Sequence, residues 1–460
     1  MNRFFFTIVS ALYAVALPAQ QPATTPDTTT LLSAFRRGKT SGYFRYFFMN
    51  TRNEQALTDY HAHAAGGGIH FETASFHGFR FGVSGFYIFN MGSSGLNRPD
   101  SITGQYNRYE IGLFDMENPN NKKDINRLEE LYLAYQFKKA KITLGRQLLN
   151  TPFVNLQDGR MRPTVTEGVW VETDALKKWK LEGGWIYAIS PRSTTRWFST
   201  GASIGVYATG VTVTGAKAQY NNQLSSKGIF MAGVHYNPGK QVHIQLWNMF
   251  TENIFNTAML QADWQVPVKK NSRFFTGAQL TAQQAVHHGG HANPLNTYFE
   301  AGGRSLTISA RAGIKSPANE YSISYTRITA AGRYLVPREW GREPFYTFMP
   351  RERNDGLGNV HAIVGRYSRS FLQKRFTVHT AAGYYHLPDV KDYRLNKYGM
   401  PAYLQLNTGA KYQFRKILNG LEAEWLLVYK QNRGETYNNP KFVFNKTNML
   451  QANLVINYHF

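Results

Sequence analysis

From residue 41 to the end of the chain, apolar side chains recur at every second position in many segments. Residues 421–430 are a clear example, with one parity formed by Leu421, Ala423, Trp425, Leu427 and Tyr429. The opposite parity of this segment carries Glu422, Glu424 and Lys430. A period of two predicts β-strands with one apolar face. A soluble β-sandwich and a transmembrane β-barrel both contain such strands, so the alternation alone leaves both architectures open.

The connections between the candidate strands favour the barrel. Short joints lie at residues 75–77, 138–141, 174–177, 237–240, 266–271, 315–319, 370–374 and 415–420. Longer polar stretches lie at residues 91–124, 149–166, 190–227, 286–303, 331–358, 387–400 and 431–444. Short and long connections largely alternate, which is typical of outer-membrane barrels with turns at one rim and loops at the other. We therefore predict an all-β fold, a transmembrane antiparallel β-barrel of about 18 strands over residues 41–460, wide enough for an aqueous lumen.

Both ends of the chain indicate export to the outer membrane. Arg3 precedes an apolar core at residues 4–15, so residues 1–19 are predicted to be a secretory signal peptide. Residues 20–40, rich in Thr, Pro and Gln, are interpreted as a flexible leader. The last alternating segment ends in Phe460, which resembles the C-terminal signal that outer-membrane barrels present to the barrel-assembly machinery. We expect an integral protein of a Gram-negative outer membrane, in contact with lipid and lipopolysaccharide.

Several motifs resemble a known family. Residues 144–168 read L-G-R-Q-L-L-N-T-P-F-V-N-L-Q-D-G-R-M-R-P-T-V-T-E-G, and further motifs are S-G-Y-F-R-Y-F from Ser41, A-A-G-G from Ala64, F-H-G-F from Phe76 and E-L-Y-L-A-Y-Q-F from Glu130. Together they resemble the OprD-type family of substrate-specific outer-membrane channels. The resemblance implies a monomeric or loosely trimeric barrel. It also implies that the third loop folds inward to narrow the pore, and that a ladder of basic residues guides carboxylate-bearing solutes.

Basic residues in mid-strand are the candidates for that ladder. A Lys or Arg that faces lipid near the midplane costs about 2–4 kcal/mol, so such residues should point into the lumen. The candidate solute path consists of Arg45, Arg80, Arg311, Lys315, Arg366 and Lys411. The alternative is that these cations pair with wall carboxylates, namely Glu72, Glu130, Glu422 and Glu424, and only fix the shape of the pore. Because Lys and Arg number 52 against 29 Asp and Glu, we favour the solute path for the set as a whole.

Two loops are candidates for a constriction. In the third loop the resemblance assigns this role to Arg160 and Arg162, with Asp158 able to hold Arg160, while a salt-bridged loop anchor is the alternative. Residues 331–358 carry five arginines and are the second candidate, although such charge is equally compatible with a solvated surface loop.

Other classes of function are disfavoured. The chain has no Cys, no G-x-x-x-x-G-K-[ST] motif and no G-x-S-x-G motif, so neither an enzyme nor a cofactor is predicted. His287, His288 and His291 lack a carboxylate or Cys partner in sequence, so no metal site is predicted. The extracytoplasmic location argues against nucleic acid as the partner of a net charge of +23.

The predicted function is passive, substrate-selective diffusion of small carboxylate-bearing or anionic solutes, such as amino acids and organic acids. The alternative is an outer-membrane barrel with a blocked lumen that serves adhesion or assembly through its long extracellular loops.

Overall fold

The computed structural model describes residues 27–121, 124–157, 159–269 and 271–460. The predicted signal peptide, the first part of the predicted leader and Asp158 lie outside these ranges. The described residues form one α-helix, α1 (Leu31–Arg36), and short 3-10 turns at Glu110–Leu113, Leu372–Lys374, Lys416–Leu418 and Pro440–Phe442. The strands are β1 (Lys39–Arg52), β2 (Tyr60–Glu72), β3 (Phe79–Ser93), β4 (Ile125–Phe137), β5 (Ala140–Gln147), β6 (Val165–Thr173), β7 (Trp179–Ser190), β8 (Phe198–Ser199), β9 (Ile229–Tyr236), β10 (Val242–Thr251), β11 (Phe255–Lys269), β12 (Ser272–Ala285), β13 (Arg304–Lys315), β14 (Asn319–Ile328), β15 (Val360–Phe371), β16 (Phe376–His386), β17 (Tyr403–Gln413), β18 (Leu421–Asn432) and β19 (Met449–His459).

Strand pairing closes the sheet into a barrel. Successive strands pair antiparallel, and β1 also pairs with β19, where Arg45 lies opposite Asn457. The two-residue strand β8 pairs with β7, which pairs directly with β9. In the described residues the wall therefore consists of 18 antiparallel strands with one extra short strand, as the sequence predicts.

The two faces of the wall differ in polarity. On β13, Leu306 and Ile308 are exposed on one face, whereas Ser305, Thr307 and Ser309 on the other face are buried. An exposed aliphatic band with polar residues on the opposite parity is typical of a wall with lipid outside and water inside. Among the described residues, no helix is long and apolar enough to span a membrane.

The two rims differ in the length of their connections. One rim has only short turns, at residues 73–78, 138–139, 174–178, 237–241, 270–271, 316–318, 372–375 and 414–420. The longest loops, residues 94–124, 191–228 and 329–359, lie at the other rim. In bacterial barrels the short turns are periplasmic and the long loops extracellular, and we name the two rims accordingly.

The end of the leader packs against the outside of the barrel. Thr30 and Ser33 form a capping box that begins α1, and the Phe35 ring lies 6.2 Å from the ring of Phe71, on the outward parity of β2. The segment predicted as a flexible leader thus includes a short helix. The terminal Phe460 stacks on Phe44, with 5.8 Å between the ring centroids, where β1 meets β19.

The extracellular loops share an apolar core above the lumen. Trp340 of loop 329–359, Phe153 of loop 148–164 and Ile204 of loop 191–228 are fully buried in one cluster with Phe255 of β11. The Trp340 Nε1 donates a hydrogen bond to Ser203 Oγ at 2.9 Å. These contacts fix the long loops against one another.

Candidate functional site

All six predicted path residues lie on the polar, inward parity of their strands. Arg45 is on β1, Arg80 on β3, Arg366 on β15 and Lys411 on β17. Arg311 and Lys315 are on β13, on the same parity as the buried Ser305, Thr307 and Ser309. Counting by two along each strand was therefore sufficient to predict the direction of these side chains.

Four of the six cations are paired with a carboxylate. Arg80 Nη1 lies 3.8 Å from Glu72 Oε1, and Lys411 Nζ lies 2.8 Å from Glu422 Oε2. Lys315 contacts Glu320. Arg311 Nη2 lies 2.7 Å from Asp263 Oδ1. These four residues therefore form the pairs with wall carboxylates that the alternative interpretation of the sequence predicts. Two of the partners, Glu72 and Glu422, are among the carboxylates predicted from the sequence.

The Arg311 pair spans an intervening strand. Asp263 is on β11 and Arg311 on β13, and Gly277 lies between them on β12. A Cβ at Gly277 would come within 2.5 Å of Asp263 Oδ1 and 2.6 Å of Tyr346 Oη. Gly277 thus leaves room for Tyr346 to donate a 3.0 Å hydrogen bond to Asp263, with the Arg311 guanidinium 4.4 Å from the Tyr346 ring centroid.

Arg45 and Arg366 have neutral partners instead. Arg45 Nε donates to Asn457 Oδ1 at 2.6 Å, and its Nη1 donates to the Arg160 carbonyl at 2.5 Å. Arg366 donates to Ser324 Oγ at 3.2 Å and to the Phe348 carbonyl at 2.7 Å. In the described part of the chain, neither guanidinium forms an ion pair. No described carboxylate contacts either guanidinium directly, although Glu422 and Glu424 are near enough to Arg45 to interact with its charge.

A β-bulge places two acidic residues side by side on the inward face of β4. Ser84 of β3 pairs with Glu130 and Gly85 pairs with Leu128, so Glu129 is the extra residue. Period-two counting places Glu129 on the lipid face, and it is therefore not among the residues predicted from the sequence. The doublet Glu129-Glu130 in an otherwise alternating strand was the available signal.

Glu129 holds the third loop. Its Oε1 accepts hydrogen bonds from Arg162 Nε at 2.7 Å and from Arg127 Nη2 at 2.8 Å. The Arg162 guanidinium also lies 4.8 Å from the ring centroid of Tyr43 and 4.6 Å from that of Phe86. The Arg162 side chain is only 10% exposed, which matches the salt-bridged anchor rather than a water-facing cation. Arg160 is also buried, and its carbonyl accepts the hydrogen bond from Arg45.

Loop 329–359 runs along the inward face of the opposite half of the wall. Backbone carbonyls of this loop accept hydrogen bonds from Gln279, Arg366, Tyr385 and Gln405 on four different strands. Buried residues of the loop include Tyr334, Leu335, Val336, Trp340, Phe345, Thr347 and Met349. The loop therefore occupies the interior, and it is not a solvated surface loop.

A cavity of about 480 Å³ lies between this loop and the wall. Its lining combines cations, aromatic rings and amides, and includes Arg311, Arg366, Arg342, Phe275, Tyr346 and Gln261. A carboxylate could bind the guanidinium groups and an apolar body could pack on the rings.

Buried charges tie loop 329–359 to its neighbours near the extracellular rim. Glu352 accepts hydrogen bonds from Arg108 at 2.8 Å and from Lys430 at 3.1 Å. Burial alone would raise the pKa of Glu352, but Arg108, Lys430 and Arg338 hold it well below its usual range. Lys397 lies among tyrosine rings, 4.5 Å from the centroid of Tyr298, and burial lowers its pKa to about 7.

The histidine-rich loop has local contacts. His287 Nδ1 lies 3.3 Å from Asn253 Oδ1, and His291 Nδ1 accepts a 2.9 Å hydrogen bond from the Asn293 backbone N–H. In the described ranges, no group of three or more His, Cys, Asp and Glu residues has a geometry that could hold a metal ion.

Comparisons with known proteins agree with this geometry. A family model described as "outer membrane porin, OprD family" matches residues 36–335. The chain is similar to the solved structure of Pseudomonas aeruginosa OccK9 (OpdG), with TM-score 0.72 and 14% identity over 93% of this chain and 99% of that chain. It is also similar to Acinetobacter baumannii OccAB4, with TM-score 0.72 and 12% identity over 95% and 100% of the two chains.

A third similar structure is Pseudomonas aeruginosa OpdK with vanillate, with TM-score 0.68 and 13% identity over 93% of this chain and 99% of that chain. At these identities the similarities show the shared fold. A search of the curated proteins gave no match.

Proposed function

Because the chain belongs to the OprD family of outer-membrane porins, we propose that it conducts small carboxylate-bearing or anionic solutes, such as amino acids and organic acids, by passive and selective diffusion. The fold and the family make it an integral β-barrel of the Gram-negative outer membrane and a substrate-specific channel. The choice of solute is the part that is proposed.

The observation that carries the proposal is the environment of Arg45 and Arg366. Both guanidinium groups lie on the inward face and bind only neutral acceptors among the described residues. An arginine keeps its charge at all relevant pH values, and its planar fork donates paired hydrogen bonds to a carboxylate. The two residues are therefore suited to attract an anionic group without first losing a carboxylate partner.

The paired cations serve as weaker, exchangeable sites. A solute carboxylate that approaches Arg80, Arg311 or Lys411 competes with a protein carboxylate already in place. Such competition keeps each site weak, and a chain of weak sites allows a solute to leave as well as to enter.

We assign the constriction to two loops fixed to opposite parts of the wall. Loop 148–164 is held at Glu129 and Arg45, and loop 329–359 is held at Arg366, Gln405 and other inward residues. In this proposal Arg162 positions the third loop, and Arg342 and Arg366 face the narrow path, where they line the same cavity.

Liposome swelling tests the choice of solute. Vesicles containing the mature chain should swell faster in small organic acids than in neutral solutes of matched size. The panel should include vanillate, because OpdK, which has a similar fold, was crystallised with it. Equal rates for acids and their neutral counterparts would contradict the proposal, and no swelling at all would favour the blocked barrel.

A further inference from the structure

The short turns of the barrel have a charge pattern that the lumen does not explain. In the described turns of the periplasmic rim, Lys and Arg occupy nine positions and an acidic residue occupies one, Asp174. Loop 329–359 at the opposite rim, by contrast, carries four acidic residues beside its five arginines. The periplasmic turns therefore carry a larger net positive charge than this long loop.

Three of these turns also expose aliphatic side chains next to their cations. In turn 174–178, Leu176 is 59% exposed and precedes Lys177 and Lys178. In turn 414–420, Ile417 is 90% exposed and follows Lys416. Turn 372–375 repeats the pattern, with Leu372 54% exposed shortly before Lys374.

Helix α1 adds a fourth element of the same kind. Leu31 is 58% exposed and Leu32 is 61% exposed, while Arg36 and Arg37 follow at the end of the helix. Phe35 of the same helix packs near Phe71, on the lipid-facing side of β2. The exposed apolar surface of α1 is therefore continuous with the lipid-facing wall.

We propose that α1 and the turns 174–178, 372–375 and 414–420 form a docking surface for anionic phospholipid in the periplasmic leaflet of the outer membrane. Exposed aliphatic groups beside Lys and Arg suit the boundary between acyl chains and headgroups, with the apolar side chains in the boundary and the cations at the phosphates. A wholly polar partner such as peptidoglycan would satisfy the cations but would leave Leu176 and Ile417 in water. This surface lies at the rim and does not depend on the choice of solute.

The first test measures lipid selectivity. The mature chain is reconstituted in vesicles of phosphatidylcholine and phosphatidylglycerol, extracted in mild detergent, and its co-purifying lipid is analysed. Each basic residue near a bilayer surface contributes a factor of about five to binding of anionic membranes. We therefore expect at least a threefold enrichment of phosphatidylglycerol over the bulk ratio. The triple variant K178Q/K374Q/K416Q should lose this enrichment of phosphatidylglycerol.

A matched control changes three exposed lysines of the extracellular loops, K217Q/K227Q/K441Q, and should keep the enrichment. Wild-type protein without enrichment, or equal loss in both triple variants, would overturn the proposal. Loss of binding to isolated peptidoglycan by the first variant, without any lipid preference in the wild type, would assign the turns to that polymer instead. Single-channel conductance should be similar in both variants, which separates this proposal from the function of the lumen.

The second test measures insertion. Because the wild type has no Cys, I417C can be labelled with an environment-sensitive fluorophore at that position alone. Its emission should shift to the blue and be quenched by brominated phospholipid, whereas the same label on K217C should remain in water. An unquenched label at position 417 would contradict the insertion of this turn.

Discussion

The substitution Glu129→Gln should release the third loop without opening the barrel. Gln keeps the size of the side chain but removes the only carboxylate that contacts Arg162 among the described residues. Arg127 retains acceptors at Ser190, Pro191 and Pro163, so the wall around it should persist. Arg162, in contrast, keeps the rings of Tyr43 and Phe86 and one neutral acceptor at position 129, and it loses its carboxylate partner.

The size of the effect follows from burial. Removing one partner of a buried ion pair costs about 3–5 kcal/mol, and we expect about 3 kcal/mol here because Gln retains one acceptor. A free-energy difference of that size shifts the equilibrium between the docked and the undocked loop by roughly 150-fold. Single-channel recordings of the variant should therefore show frequent excursions to additional conductance levels, at a rate far above that of the wild type.

Glu130→Gln is the matched control. Glu130 is the neighbouring residue of the same bulge, and it accepts a 2.9 Å hydrogen bond from Ser84 Oγ without contacting the third loop. Single-channel recordings of Glu130→Gln should show no more excursions to additional conductance levels than those of the wild type. If Glu129→Gln and Glu130→Gln give identical, quiet traces while both barrels are folded by heat-modifiable gel migration, the anchoring role of Glu129 is refuted.

Three further predictions concern the lumen and the loops. Arg366→Ala and Arg45→Ala should each lower the preference for anions in reversal-potential measurements more than Arg80→Ala does, because Glu72 already offsets part of the Arg80 charge; equal effects of all three would contradict this ranking. Cys at positions 45, 80 and 411 should react with a charged aqueous thiol reagent and reduce conductance, whereas Leu306→Cys on the lipid face should not. Burial lowers the pKa of Lys397 to about 7, so between about pH 7 and pH 10 the unfolded chain binds more protons and stability should rise with pH. Lys397→Met should flatten that rise in urea unfolding followed at pH 6.5 and pH 9, and an unchanged slope would show that another group titrates.

The sequence predicted the wall of the barrel well because its rule is local. Alternation of lipid-facing and water-facing residues is imposed at every strand, and it was enough to place Arg45, Arg80 and Lys411 on the inward face. Partners across neighbouring strands were also within reach, since Glu72 and Glu422 were named among the candidate carboxylates. The pairs Arg80 with Glu72 and Lys411 with Glu422 are both present in the structure.

The interior was less predictable because it depends on contacts distant in sequence. The Glu129 bulge breaks the period of two, and in the sequence only the acidic doublet Glu129-Glu130 marks its position. Arg311 pairs with Asp263 across an intervening strand. To predict this pair one would need to know the register of three strands and to recognise that Gly277 leaves the space between the two side chains open. The sequence of loop 329–359 shows five separate arginines but not the course of the loop, because that course depends on the shape of the lumen.

The most direct test of the account is the ion selectivity of the wild-type channel. The purified mature chain is inserted in a planar bilayer under a KCl gradient, and the reversal potential of single channels is measured. We predict stable conductance steps with a reversal potential shifted towards the equilibrium potential of chloride. We also predict a lower current when small organic acids are added, because these would occupy the sites at Arg45 and Arg366. A cation-selective channel that organic acids do not affect would contradict the account.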